Sequence, residues 1–411
     1  MAKLRPFKAL RPIRDKAHLV ASLPYYAYKK NVLKAMLQVN PYLFLNIINP
    51  EFKSKIKTKP NSKERFMQVG DRYQEFVDNG ILIKEDRASI YLYRQTIGDN
   101  AFLGVIGGAS VEEYKNNKIK KHEATLTSRE AMFTNYLDIV CYNAEPVLLT
   151  YTGTDTINDL MELKIKERPE YEFTTTDLKK HELWILNESE SQKMVKAFQA
   201  LNSTYIADGH HRIASSAGLR QLRDQRNEVH YENEDYFLAF FIDEQIVQIL
   251  EFNRIIKTLN AHSPEDVIRM LKDKFIVQPL KRAKKPSKEH EISMCIDKKW
   301  YLLTCKNEII DTEHPVKCLD TELLTEHILN PILGITDLKS DDNIDFISGN
   351  HPIKEINKRM KKEGYRIGFV LYPVSIDVLK RVADNHMIMP PKSTWIEPKL
   401  RSGLTIYAIN E

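Results

Sequence analysis

The chain has 411 residues, of which 42% are hydrophobic and 28% are charged, and 61 basic against 56 acidic side chains give a net charge of +5. This composition is ordinary for a globular protein, and the length exceeds what one compact core usually accommodates. No stretch approaches the roughly 20 apolar residues that span a bilayer, and no secretory leader is recognisable. We therefore expect a cytoplasmic protein with no membrane partner and no required nucleic-acid partner.

In the first third of the chain, hydrophobic periodicity predicts one long helix followed by a hairpin. The prolines Pro6 and Pro12 favour an extended opening segment. Apolar residues at helical spacing predict an amphipathic helix over residues 63–80, with Gly80 as its stop. Two β-rich segments, residues 89–94 and 101–106, flank a Gly-Asp-Asn turn and predict a β-hairpin.

The following segments alternate between helix and strand. The patterns predict helices over residues 127–136 and 188–201 and strands over residues 147–151, 204–207 and 236–242. The last of these is a continuous apolar run, which is typical of a strand buried on both faces near the centre of a sheet. The fold class is therefore predicted as α/β (α+β), with a mixed sheet and flanking helices.

A charged, proline-containing stretch at residues 283–288 indicates a domain edge. We place a soft boundary before it, which gives an N-terminal region of residues 1–260 and a C-terminal α+β region of residues 261–411. A last strand is predicted over residues 404–409. The N-terminal region then contains the segment with the strongest chemical signal.

That segment is Asp208-Gly209-His210-His211-Arg212, where a β-type run ends and an alanine-rich helix begins. Backbone N–H groups at a helix start lack partners and the helix dipole is positive there, so an anion is attracted. Gly209 permits close approach to the backbone, Arg212 can pair with phosphate, and the histidines can donate further hydrogen bonds. The pattern predicts a phosphate-binding site.

Alternatives to this interpretation remain open for several of these residues. Asp208 could cap the helix, hold a Mg²⁺ that accompanies a nucleotide, or do both. In a purely structural interpretation, Asp208 is only a cap and the histidines are partly buried polar residues. Zinc is disfavoured, because adjacent residues on a helix point about 100° apart and so His210 and His211 do not readily chelate one ion.

The string Asp208-Gly209-His210-His211-Arg212 resembles the signature of the ParB/sulfiredoxin superfamily, in which a glycine and a following His-Arg or Arg-Arg pair cradle nucleotide phosphates. Its D-G-H-H-R form resembles the free-serine kinases of that superfamily. The resemblance implies a ParB/sulfiredoxin-like core and a nucleotide held at this helix start. Sulfiredoxins carry a reactive cysteine where His210 stands, so reduction of cysteine sulfinic acid is not implied.

Over nearly its whole length the chain is similar to the family called domain of unknown function 1015. The matching pieces, in order, are Arg5-Pro6-Phe7, residues 20–25, Asn40-Pro41-Tyr42, His122-Glu123, Leu183-Trp184, residues 205–212, Leu319-Asp320, residues 389–394 and Pro398-Lys399.

Two positions depart from that family's pattern. A proline-proline-tyrosine-aspartate turn is replaced by Leu-Pro-Tyr-Tyr at residues 23–26, which loses a carboxylate at Tyr26. A threonine-histidine-arginine element is replaced by Phe-Asn-Arg at residues 252–254, which places Asn253 at the histidine position. If either lost group is catalytic in relatives, the activity here is altered or absent.

Two further groups of residues are candidates for the same chemistry. Glu123 follows a lysine-rich loop and could act as a general base, although a solvated carboxylate before a helix is an equal alternative. The second group surrounds Pro390-Pro391 and could grip another anionic group, or could simply dock the last strand. Its members are Lys392, Ser393, Thr394 and Lys399.

The leading hypothesis is a nucleotide-dependent kinase that acts on a small-molecule hydroxyl, with Mg²⁺ and ATP or ADP as cofactors and free serine as the acceptor that the resemblance implies. The alternative is a protein that senses a nucleotide or anion and regulates a partner or DNA without catalysis. A homodimer is left open. Catalytic roles are assigned to Glu123, Asp208 and His211, and Asp208 is the expected magnesium ligand. Phosphate contacts are assigned to Gly209, His210, His211, Arg212, Lys392, Ser393 and Thr394.

Overall fold

The structure is a computed structural model that describes residues 2–411, apart from the side chain of Tyr26. These residues form two compact units. The first holds the chain up to Lys121 together with Thr125–Val247 and Pro398–Glu411, and the second holds His122–Ala124 and Gln248–Glu397. The boundary predicted between residues 260 and 261 falls inside the second unit. It stays a prediction about domains, because a compact unit need not fold independently.

The first unit is built on a mixed sheet, which has nine strands among the described residues. Strand Tyr236–Asp243 lies inside it, parallel to one neighbour and antiparallel to the other. Its residues 237–242 are at most 1% exposed, which explains the absence of polar alternation there. Leu4–Arg5 pairs with Asn100–Ser110. The order across the sheet is Ile119–Lys120, Thr204–Asp208, Val147–Tyr151, Tyr236–Asp243, Asn100–Ser110, Tyr91–Ile97, Lys180–Ile185 and Tyr171–Thr174.

Local capping residues fix where several helices of the first unit begin. Helix Glu188–Phe198 starts at a capping box, in which Asn187 and Glu190 each accept a backbone N–H from the other. Helix Lys63–Asp78 starts at Ser62, whose hydroxyl accepts from the N–H of Arg65. The α-helices of this unit are Ala17–Val20, Lys30–Val39, Leu45–Ile48, Lys63–Asp78, Val111–Lys115, Thr127–Val140, Asp155–Lys164, Glu188–Phe198 and His210–Gln225.

The helix that starts at the D-G-H-H-R segment, His210–Gln225, packs against helix Thr127–Val140. Gly218 lies at the contact, and a Cβ at this position would come within 2.7 Å of Oγ1 of Thr134. The two helix backbones approach closely because Gly218 has no side chain. This packing fixes one side of the helix.

Short pieces of 3₁₀-helix and two small ladders complete the first unit. The 3₁₀ turns are Arg14–Lys16, Tyr25–Ala27 and Glu232–Asp235. The ladders join Leu10–Pro12 to Leu82–Lys84 and Tyr142–Asn143 to Tyr407–Ala408.

The second unit is built on an antiparallel sheet of seven strands within the described residues. Strand Gln248–Ile256 is its longest and also pairs with Thr394–Glu397. The strands on the main path are Phe275–Leu280, Lys299–Cys305, Glu291–Ile296, Ile367–Val370, Gln248–Ile256 and Ile344–Ser348. Helical segments are Pro264–Leu271, Asn307–Ile309, Asp320–Leu324, Thr325–Leu329, Lys354–Glu363 and Ile376–Asp384.

The predicted α/β class with mixed sheet and flanking helices is confirmed. The predicted last strand over residues 404–409 is wrong in extent, because only Tyr407–Ala408 joins a ladder. Around it, Ile406 forms an isolated antiparallel bridge with Leu10, and the N–H of Ile409 donates to the carbonyl of Cys141. Along residues 2–411, no helix has both the length and the apolar content to cross a bilayer.

Candidate functional site

The candidate site lies where strand Thr204–Asp208 ends and helix His210–Gln225 begins. The pairing of this strand with its antiparallel neighbour shifts register between Ile206 and Asp208, and the ladder ends at Asp208. Gly209 follows with a φ of 104° and a ψ of 28°. Because such a left-handed backbone costs roughly 1 kcal/mol or more for a residue with a Cβ, the turn from strand into helix depends on glycine.

Gly209 is the N-cap residue of the helix, and Asp208 lies one position before it. Asp208 is still part of the strand, and its carboxylate lies close to two cations. Its Oδ2 lies 3.2 Å from Nη2 of Arg212, and its Oδ1 lies 3.5 Å from Nζ of Lys399. A carboxylate and two cations therefore meet in front of the helix start.

Arg212 joins this carboxylate to a second one. Its Nη1 lies 2.7 Å from Oε1 of Glu145 and donates to the carbonyl of Pro146 at 2.5 Å. Strand pairing explains the contact. Asp208, at the end of its strand, is opposite Leu148 near the start of the antiparallel strand Val147–Tyr151, so Glu145 and Pro146, which precede Val147, lie beside Asp208. The side chain of Arg212 is 22% exposed, which leaves the guanidinium accessible to a solute.

The missing side chain of Gly209 also makes room for Arg212. A Cβ on Gly209 would lie 2.9 Å from Nε and 3.0 Å from Nη2 of the guanidinium. Any larger residue would push Arg212 away from the helix start. Glycine thus serves both the backbone turn and the position of the cation.

Electrostatics in this cluster centre on Glu145. The pKa of Glu145 is raised, and burial of the carboxylate is the largest cause. The charge of Asp208 also raises this pKa, whereas the cations Arg212 and Lys399 lower it. The hydroxyl of Ser402 also donates to Oε2 of Glu145 at 3.5 Å. Two carboxylates and two cations therefore balance each other in formal charge.

The histidines occupy the first turn of the helix. His210 is 5% exposed and His211 is half-buried. One turn later, the hydroxyl of Ser215 donates to the carbonyl of His211 at 2.5 Å and that of Ser216 donates to the carbonyl of Arg212 at 3.1 Å. These bonds link the first turn to the buried part of the helix. The structure therefore brings all five residues of the D-G-H-H-R segment into one strand, turn and helix start.

The predicted base lies in the second unit and not in the first. Glu123 is exposed, in the segment His122–Ala124 that precedes helix Thr127–Val140. Its neighbour His122 is 2% exposed, and the carbonyl of His122 accepts from the N–H of Met389 at 2.8 Å. The assignment of Glu123 as base stays a prediction. Tyr26, which replaces the aspartate of the family pattern, has a side chain outside the described part of the structure, so the predicted effect of this replacement stays a prediction.

The residues predicted to grip a second anionic group are divided between the units. Lys399 belongs to the first unit and contacts Asp208, whereas Lys392, Ser393 and Thr394 belong to the second. Ser393 is 6% exposed, and its hydroxyl donates to the carbonyl of Pro390 at 2.7 Å. That donor serves an internal turn. Phosphate contacts from Lys392 and Thr394 remain predictions.

Glu145 is the residue of the cluster that the sequence did not indicate. It stands directly before Pro146 and strand Val147–Tyr151, and this position carries no motif. Its role follows only from the pairing of that strand with Thr204–Asp208. Only this strand pairing would have indicated that Glu145 lies beside Arg212.

The two carboxylates define what kind of metal the cluster could hold. Within residues 2–411, no three or more His, Cys, Asp and Glu side chains are grouped so that they could hold a metal ion by themselves. Magnesium that travels with a nucleotide uses one or two carboxylates and takes its other ligands from phosphate and water. The donor set of Asp208 and Glu145 fits this pattern better than it fits zinc, which needs more protein ligands.

Replacing Glu145 with glutamine is expected to raise the affinity for inorganic phosphate roughly fivefold, about 1 kcal/mol, because a carboxylate no longer competes for Arg212. Since the pKa of Glu145 is raised, the wild-type affinity should also rise as the pH falls through that pKa, and the variant should lose this dependence. Isothermal titration measures both effects. Glu232→Gln, at an exposed ion pair with Arg5, is the control. A lower affinity in Glu145→Gln would contradict the competition.

Comparison with solved structures gives distant likenesses. A free serine kinase in complex with AMP has a TM-score of 0.37 and 13% identity, over 75% of this chain and 91% of that one. A conserved hypothetical protein from Pyrococcus furiosus has a TM-score of 0.35 and 14% identity, over 74% and 95%. SbnI with a C-terminal truncation, from Staphylococcus aureus, has a TM-score of 0.39 and 11% identity, over 74% and 87%. At such TM-scores none of them supports an argument about this chain.

Sequence comparison identifies the family of the chain but not its function. No curated protein matches the chain. The sequence profile described as "Protein of unknown function (DUF1015)" matches residues 4–322, which cover more than half of the chain and include the whole D-G-H-H-R segment. The chain therefore belongs to the DUF1015 family.

Proposed function

We propose that the protein is a nucleotide-dependent kinase for a small-molecule hydroxyl, with the nucleotide phosphates at the start of helix His210–Gln225. The observation that carries this proposal is the positive-φ Gly209 at a helix start that Arg212 and Lys399 flank. A helix start supplies N–H donors and a positive dipole, and two cations supply charge for phosphoryl oxygens. Phosphoryl transfer requires mainly positioning and this kind of charge stabilisation.

Each residue of the cluster has a role in this proposal. Gly209, His210 and Arg212 hold the phosphates, and His211 donates a hydrogen bond to an oxygen of the transferred group. Asp208 and Glu145 would hold Mg²⁺, which neutralises charge on the phosphate oxygens when it is bound with a nucleotide.

The acceptor is the least constrained part of the proposal. Free serine is the first candidate, because the D-G-H-H-R segment resembles that of free-serine kinases. Glu123 is the proposed base that accepts the proton of the acceptor hydroxyl. ATP and ADP are the proposed phosphate donors.

A second candidate function is a nucleotide or anion sensor without catalysis. The observation that favours it is the internal balance of charge among Glu145, Asp208, Arg212 and Lys399. An anion that binds Arg212 would break these ion pairs, and the released carboxylates could then move. Such a change can report ligand binding without any transfer of phosphate.

Isothermal titration of the full chain with ATP, ADP and CTP, with and without Mg²⁺, tests both functions. A turnover assay follows with serine and other small hydroxyl compounds. Nucleotide binding with formation of a phosphorylated product supports the kinase. Binding without product for any acceptor supports the sensor. The absence of nucleotide binding contradicts the kinase and restricts the sensor to an anion other than a nucleotide.

Replacing Glu123 with glutamine separates catalysis from binding. The nucleotide affinity is expected to stay unchanged while kcat falls by roughly 10²- to 10⁴-fold, because an amide accepts a proton far less readily than a carboxylate. Glu112→Gln, at an exposed ion pair with Lys3, is the matched control and should keep full turnover. If Glu123→Gln also keeps full turnover, the base lies elsewhere.

A further inference from the structure

Arg254 differs from the other buried arginines of the protein. It lies on strand Gln248–Ile256 of the second unit, and its exposed fraction is 0%. The remaining arginines that are buried within residues 2–411 each pair with a carboxylate: Arg11 with Glu85 and Glu170, Arg223 with Glu234 and Asp138, and Arg401 with Asp177.

The described residues give Arg254 only carbonyl partners. Its Nη1 donates to the carbonyl of Phe252, and its Nη2 donates to the carbonyl of Lys392 at 3.1 Å. The Nε–H is buried and has no hydrogen-bond acceptor among the described residues. A guanidinium has five N–H donors, so the edge formed by Nε and the adjacent Nη retains donors for another group.

This arrangement leaves a buried positive charge without a negative one beside it. Burial lowers the pKa of Arg254 to about 9, so the side chain remains protonated at neutral pH. Burial of an ionised group is unfavourable unless an opposite charge or a full set of hydrogen bonds compensates for it. Two carbonyls and an aromatic ring, that of Phe346 at 5.6 Å, compensate only in part.

The surroundings of Arg254 are aromatic and basic. Side chains alternate along a strand, so Phe252 and Arg254 share one face while Glu251 and Asn253 point to the other. On the first face, the ring of Phe252 lies 6.2 Å from that of Phe346 and 5.6 Å from that of Trp395.

Lys392 connects the buried arginine to the surface. It is exposed, and its Nζ lies 5.3 Å from the ring centroid of Phe252, while its carbonyl accepts from Arg254. Glu251 does not neutralise this group from the other face, because its carboxylate pairs with Lys285. A second cation thus stands at the solvent side of the same aromatic group.

We propose that Arg254 is the buried anchor of a small-oxyanion site in the second unit, which takes a ligand with a carboxylate or phosphate group. Two oxygens of such a group match the Nε and Nη edge of a guanidinium, and the Lys392 amine adds charge at the solvent side. The proposal does not rest on the proposed kinase activity. Carboxylate and phosphate share the recognition chemistry, so the experiment distinguishes them.

The test compares full-length Arg212→Ala protein with the Arg212→Ala/Arg254→Met double variant, so that the first site does not dominate the signal. Thermal unfolding is followed while acetate or inorganic phosphate is added against chloride at equal ionic strength. Acetate, phosphate or both should raise the unfolding midpoint of Arg212→Ala, because a ligand that binds the folded state stabilises it. The double variant should lose this rise, and the responding anion identifies the ligand class.

The ligand-free proteins provide a second measurement. Arg254→Met should unfold at a higher midpoint than wild type, because an uncompensated buried charge is replaced by an apolar chain of similar length. Arg11→Met is the matched control and should lower the midpoint, because Arg11 has carboxylate partners. An equal anion response in both backgrounds, no response in either, or failure of Arg254→Met to fold would each overturn the proposal and assign Arg254 to holding carbonyls.

Discussion

Replacing Arg212 with alanine should weaken nucleotide binding by about 10- to 100-fold, the effect of losing charge-assisted hydrogen bonds to phosphate. The guanidinium contacts Asp208 and Glu145 in front of the positive-φ Gly209, so its loss removes a cation and leaves two carboxylates facing the anion. Isothermal titration with ADP and Mg²⁺ measures the change.

Arg220→Ala is the matched control for this prediction. Arg220 lies on the same helix and forms ion pairs with Asp224 and Asp235, away from the helix start by sequence. Its removal should leave the nucleotide affinity unchanged. Arg212→Lys keeps the charge and loses the planar pair of donors, so an intermediate affinity is expected. Unchanged affinity in Arg212→Ala would mean that phosphate does not bind at this helix start.

The part of the site that the sequence predicted is the part that local chemistry determines. A β-type run, a glycine and a helix pattern that follow one another leave few ways for the backbone to turn, and Gly209 adopts the backbone angles that favour glycine. Local sequence pattern likewise determines strand Val147–Tyr151 and the buried strand Tyr236–Asp243, and both were predicted accurately.

The part that the sequence did not predict depends on contacts between distant segments. Glu145 reaches Arg212 because two strands pair antiparallel, and Lys399 reaches Asp208 because Pro398–Glu411 returns to the first unit. Neither the strand pairing nor the position of the segment Pro398–Glu411 produces a periodic pattern in the sequence. Arg254 is a different case, since a polar residue in a strand ordinarily indicates a solvent-facing position, and here it is fully buried.

The C-terminal end of helix His210–Gln225 is held by a buried ion pair between Arg223 and Glu234. Breaking this ion pair should have the largest effect on stability. Replacing Arg223 with methionine is expected to lower the free energy of unfolding by about 3–5 kcal/mol. Arg223 pairs with Glu234, whose side chain is 0% exposed, and lies 3.2 Å from Asp138 and 2.9 Å from Asn410. Without Arg223, the Glu234 carboxylate is buried and uncompensated. Urea unfolding measures the change.

Two further variants show whether the buried carboxylate is the cause. Arg226→Met removes a cation that is 46% exposed and also pairs with Asp138, so its cost should stay below about 1 kcal/mol. Arg223→Met/Glu234→Leu removes both charges of the buried pair and should recover much of the stability that the single change loses. If Arg223→Met costs no more than Arg226→Met, the ion pair does not hold this end of the helix. Folded Arg223→Met should still bind the nucleotide with wild-type affinity, because the ligand contacts lie at the other end of the same helix.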